Sequence, residues 1–105
     1  MKDPVLTRFL EAVKPFRGKI KSIYVFGSRA RGTGRPDSDY DVLLVVSRDF
    51  SLNDKNKIYD ILMDILLDTG RLISLKIFKV RLFQKLCRMR TPFMKHILEE
   101  GILLG

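Results

Sequence analysis

The sequence predicts an α/β (α+β) protein, a small mixed β-sheet packed by helices. Short apolar runs bounded by glycine or turn residues alternate with stretches of helical periodicity, the pattern of one sheet covered by helices. The first two strands are joined by about a dozen residues with little helix, which predicts antiparallel neighbours. A full helix separates the second strand from the third, which suits a parallel crossover.

The elements follow in order as α-β-β-α-β-α-α. Asp3 before Pro4 reads as an N-cap followed by a first-turn proline. Val5, Leu6, Phe9, Leu10 and Val13 then recur at helical spacing until Pro15 and Gly18 close the helix. "KIKSIYVF" (19–26) is a short β-rich run between glycines and predicts a buried strand. "GSRARG" is a turn, residues 32–38 are loop, and "DYDVLLVV" (39–46) is the second strand. Residues 51–70 carry an apolar stripe at Ile58, Ile61, Leu62, Ile65 and Leu66, stopped by Gly70. "RLISLKIFKV" (71–80) is the third strand, and residues 81–90 a short basic helix. Thr91-Pro92 restarts a helix through Glu100, where Gly101 ends it.

With 105 residues and 46% hydrophobic content, the chain reads as a single folded domain over residues 1–105, not as a disordered segment. No apolar run approaches the ~18 residues of a membrane span. Asp3, Glu11 and Lys14 interrupt the N-terminal apolar residues, unlike a signal peptide. The single cysteine, Cys87, excludes an intrachain disulfide and a cysteine-cluster metal site, and points to the cytoplasm. A net charge of +8 favours polyanionic partners such as nucleotides, nucleic acid or an acidic protein surface. The excess is concentrated between Arg71 and Lys95, a stretch with no acidic residue.

The chemistry is concentrated in "GSRARGTGRPDSDYDVLLVV" (27–46). Strand alternation sends Asp39 and Asp41 to one side and Tyr40 to the other. Two neighbouring carboxylates repel, and a divalent cation relieves that repulsion. Magnesium takes hard oxygen ligands and keeps positions open for phosphate oxygens. Gly27 has no side chain to bar the approach of a phosphate. The Ser28 hydroxyl and the guanidinium groups of Arg29 and Arg31 supply phosphate donors. A P-loop is excluded because Gly32 is followed by Thr33-Gly34, not by lysine and a hydroxyl residue.

This stretch resembles the minimal nucleotidyltransferases of the DNA polymerase beta superfamily, matching their G-S-x-A-R-G … S-D-x-D pattern, and "TPFMKHILEEGILLG" is similar to the closing segment of small members. The resemblance implies a polymerase-beta-type nucleotidyltransferase core. It implies that Gly27 and Ser28 hold the triphosphate of ATP, to which the nucleotide contacts of Arg29 and Arg31, drawn from the residues themselves, are added. It further implies that Asp39 and Asp41 are the catalytic carboxylates and bind one or two magnesium ions. The implied reaction moves a nucleoside monophosphate, AMP for ATP, to a hydroxyl with release of pyrophosphate. The implied partner is a HEPN-type toxin, with this chain as antitoxin. Self-association is left open.

The family's third carboxylate, on the strand after the intervening helix, is missing. "RLISLKIFKV" holds no acid; Ser74 stands at the matching position, with Lys76 on the same face. Asp60, Asp64 and Asp68 read as a solvated helix face and Glu99 and Glu100 as exposed. His96 and Cys87 read as packing or surface residues, and Tyr24 and Tyr59 as core-edge aromatics. Two rival functions follow: a catalytically weak or inactive antitoxin acting by complex formation, and a small basic RNA-binding domain.

Overall fold

The computed structural model describes residues 3–27 and 39–105. Helix α1 (Pro4–Ala12) begins where Asp3 Oδ1 accepts from the backbone N–H groups of Val5 and Leu6. A 3-10 turn (Lys14–Phe16) leads to β1 (Ile20–Phe26). Strand β2 (Tyr40–Val46) is followed by α2 (Leu52–Thr69), which a Ser51–Asp54 capping box opens and Gly70, at φ 71°, ends. Then come β3 (Ile73–Lys79), α3 (Val80–Met89) and α4 (Pro92–Glu100), the last capped by Thr91. A two-residue strand, β4 (Ile102–Leu103), closes the order.

The sheet is mixed, with spatial order β3-β2-β1-β4. β1 runs antiparallel to β2, and β2 parallel to β3, as the connection lengths predict. The sequence reading missed β4. Gly101 ends α4, and the chain then extends antiparallel to β1, pairing Ile102 with Val25 and Leu103 with Tyr24.

Strand alternation gives the sheet two apolar faces. One carries Val25, Tyr40, Val42, Leu44 and Ile73 under α1 and α2, together with Phe9, Ile58 and Leu62. The other carries Phe26, Leu43 and Val45, packed with Ile97 of α4 and edged by Phe78, Phe83 and Phe93. This explains why β2 is almost wholly apolar after Asp41, since both of its faces are covered. No described helix is long and apolar enough to cross a membrane.

Several side chains lie where the sequence placed them. Asp60, Asp64 and Asp68 are exposed, with Asp68 paired to Arg8 at 2.6 Å. His96 is half-buried, its Nδ1 2.7 Å from Glu100 Oε2. Tyr24 is half-buried, its ring stacked on Phe83 at 5.9 Å. Tyr59 is a correction. It is 43% exposed on the solvent side of α2, with Lys55 Nζ 5.9 Å from its ring, because the buried stripe of that helix runs through Ile58, Leu62 and Ile65.

Candidate active site

The site forms where β1 ends and β2 begins. Phe26 and Asp41 are antiparallel register partners, so the glycine turn after β1 stands beside the carboxylate that opens β2. Gly27 adopts φ 76°, a left-handed conformation that favours glycine. A Cβ there would lie 2.5 Å from Asp41 Oδ2, so the absence of a side chain is what lets this carboxylate rest against the turn.

Asp41 is half-buried, while Asp39, just before the strand, is exposed. Burial pushes the Asp41 carboxyl above its ordinary pKa, the negative charge of Asp39 adds to the rise, and Lys76 opposes it. The two carboxylates are therefore close enough to repel, as the i, i+2 spacing predicts. Ser28, Arg29 and Arg31 lie outside the described residues.

On the other side of Asp41 stands β3. Ser74 is the parallel register partner of Asp41, and Lys76 that of Leu43. Alternation sets Phe26, Asp41 and Ser74 in one row across a face of the sheet, with Tyr24, Leu43 and Lys76 in the next. Both Ser74 and Lys76 are exposed. Lys76 Nζ lies 5.9 Å from the ring centroid of Phe93, which meets Phe26 edge-on at 5.6 Å. Sequence reasoning missed Phe93 as a neighbour of the site. Its place on α4, two positions after Thr91, carries no signal of which strand it covers.

The family model described as polymerase beta, nucleotidyltransferase, matches residues 10–105. The chain belongs to the polymerase beta nucleotidyltransferase family. As a member it is a nucleotidyltransferase, and the motif between Gly27 and Asp41 lies inside the matched span. It is 34% identical over 103 residues to a Methanocaldococcus jannaschii protein provisionally named a protein adenylyltransferase, covering 97% of this chain and 96% of that one. A crystal structure of a toxin–antitoxin with AMP-PNP matches with a TM-score of 0.57 at 15% identity, over 94% of this chain and 71% of that chain. A toxin–antitoxin MntA–HpeT mutant matches with the same TM-score at 13% identity and the same coverage. The two structural likenesses carry the fold.

Asp39 and Asp41 are hard oxygen donors and are the residues that could hold a divalent cation. Two hard carboxylates repel each other and one is partly desolvated, so a cation between them relieves both costs. Among the described residues no group of three or more acidic, histidine or cysteine side chains is gathered. Ser74, at the register position beside Asp41, offers a neutral hydroxyl, and Lys76 adds a positive charge nearby.

Proposed function

We propose that this nucleotidyltransferase binds ATP with magnesium and transfers AMP to a hydroxyl on a partner protein, acting as the antitoxin of a HEPN-type toxin in the cytoplasm. The contact of Asp41 with the Gly27 turn carries the reading, because it joins the phosphate-cradling half of the motif to the carboxylate half. The name of the M. jannaschii relative supports a protein acceptor, and the AMP-PNP of a structural neighbour supports an adenine nucleotide. That neighbours are toxin–antitoxin structures supports the kind of partner.

In this reading Gly27 and Ser28 approach the triphosphate through backbone and hydroxyl, Arg29 and Arg31 neutralise its charge, and Asp39 and Asp41 hold magnesium. Bound magnesium supplies charge neutralisation on the phosphate oxygens. The acceptor hydroxyl oxygen bonds to the α-phosphorus, the bond to the bridging oxygen of the β-phosphate breaks, and pyrophosphate departs. The hydroxyl proton is released as the new bond forms, and among the described residues no third carboxylate is gathered with Asp41 to take it.

The test incubates the chain, labelled ATP, magnesium and the product of the neighbouring gene. Label on the partner that vanishes in Asp39→Asn and Asp41→Asn is the expected result. Neutralisation of the partner that survives both substitutions would instead support an antitoxin acting by complex formation. Ser74 and Lys76 favour that second reading, since a lysine beside the site weakens cation binding.

A further inference from the structure

Among the described residues, strand β3 is an edge of the sheet. The backbone N–H of Tyr40 donates to the Leu72 carbonyl, so the alternate residues Leu72, Ser74, Lys76 and Phe78 turn their backbone groups toward β2. The N–H and C=O groups of Ile73, Leu75 and Ile77 therefore point outward along the open edge. Two depressions lie along it. One of about 370 Å³ is lined by Phe50, Ser51, Leu52, Lys55, Ile77 and Lys79. The other, of about 270 Å³ at the strand's C-terminal end, is lined by Arg48, Lys79, Val80 and Arg81.

We propose that the β3 edge receives an extended, acidic segment of the acceptor protein as an added strand, with its hydroxyl residue laid over Ser74 toward Asp41. This rests on the reading above that the acceptor is a protein hydroxyl. An added strand bonds to the outward groups of Ile73, Leu75 and Ile77, and its side chains alternate between the two faces of the sheet. The residue opposite Ser74 lies on the face of Asp41. Ser74 is small and exposed, so a long hydroxyl-bearing side chain crosses above it, as long side chains reach beyond their directly paired neighbours. Three residues along, opposite Ile77, the side chain turns to the other face and meets the apolar wall of Phe50, Leu52 and Ile77. Farther on, the exposed positive charges of Arg48 and Arg81, beside the depression their residues line, favour acidic residues, while the Lys79 ammonium donates to the Arg48 and Phe50 carbonyls. A second copy of β3 is disfavoured, because it would set Lys76 and Lys79 against another row of cations.

The test uses the full chain and a fluorescent acidic ten-residue peptide of high β propensity, with tyrosine and, three residues on, valine. Its control is the same peptide N-methylated at alternate amides, which keeps every side chain and removes strand pairing. Anisotropy without nucleotide is expected to show at least tenfold weaker binding of the control, and of the parent peptide to the Arg48→Glu, Arg81→Glu double variant. Hydrogen exchange is expected to slow at the amides of Leu75 and Ile77 on binding. Equal binding of both peptides, protection confined to α3 and α4, self-association through β3, or preference for a single-stranded RNA of equal length would each overturn the proposal. ATP–magnesium binding is titrated separately. Edge docking without AMP transfer would remove the proposed function and leave only the strand-docking edge, without its role in presenting an acceptor; AMP transfer with indifferent N-methylation would keep the proposed function and overturn the docking edge.

Discussion

Asp41 Oδ2 rests so close to the Cα of Gly27 that a methyl group on that carbon would sit 2.5 Å from it. The glycine thus serves two needs at one position. It adopts a positive φ that other residues avoid, and it leaves the volume that the carboxylate fills. Gly27 and Asp41, which stand on either side of the loop in sequence, form one packed contact in the fold.

Gly27→Ala tests that contact. The left-handed conformation alone costs an alanine roughly 1–2 kcal/mol. The added methyl must also push the Asp41 carboxylate away, since 2.5 Å is no van der Waals distance. The variant should fold, melt at a lower temperature and bind ATP–magnesium at least tenfold more weakly. Wild-type affinity in calorimetric titration would show that the turn and the carboxylate do not act together.

Lys76 and Ser74 yield the second prediction. Lys76 sits near Asp41 and over the Phe93 ring, where it opposes the cation that the carboxylate pair would take. Lys76→Met should lower the magnesium concentration needed for half-maximal nucleotide binding several-fold while retaining the aliphatic packing on Phe93. Adding Ser74→Asp, opposite Asp41 in register, restores a third carboxylate and should raise the AMP-transfer rate of Lys76→Met. A magnesium requirement unchanged by both substitutions would mean that β3 has no electrostatic part in the site.

The sequence made the larger elements legible because their ends are marked by chemistry. Asp3-Pro4, Gly70 and Thr91-Pro92 act as caps or stops where the pattern put them, whereas the Ser51–Asp54 capping box is seen only in the fold. The antiparallel and parallel pairings followed from connection length alone. β4 was not legible, because two apolar residues after a helix carry no period. The carboxylate spacing was legible at the site, whereas the fit of Asp41 into the space at Gly27 depends on register across two strands. The Lys19–Asp54 pair joins residues 35 positions apart, and nothing local signals it.

Tyr40 separates the stability of this end of the sheet from its chemistry. It is buried on the face opposite Asp41, and its hydroxyl donates to Asp3 Oδ2 at 2.8 Å. Asp3 also caps α1, so this bond ties the helix start to the β2 entrance. Tyr40→Phe keeps the ring and removes a bond to a charged acceptor, which should cost about 1.5 kcal/mol or more. That corresponds to a melting-temperature fall of at least roughly 6 °C in a domain of this size. ATP–magnesium affinity should be unchanged, because the ring and Asp41 point to opposite faces. A loss of affinity equal to that of Asp41→Asn would show the two faces to be coupled.

Acid should unfold the protein partly through Asp54. This carboxylate accepts the Ser51 N–H at 2.8 Å and the Lys19 ammonium at 2.9 Å. The Ser51 backbone bond, then the Lys19 bond, hold its pKa down at about 2. The unfolded chain has an ordinary aspartate near 3.9. The depressed folded value means that the stabilisation is complete above about pH 4 and is lost as pH falls through about 2. Lys19 has its pKa raised, first by the same bond, so its share is complete below the ordinary lysine value and fades as pH rises through the folded one. Asp54→Asn removes the charge while retaining an acceptor for the Ser51 N–H. Its melting temperature at pH 7 should lie below that of the wild type, and the two curves should converge between pH 4 and pH 2. Parallel curves across that window would show that the Lys19–Asp54 pair contributes nothing to acid stability.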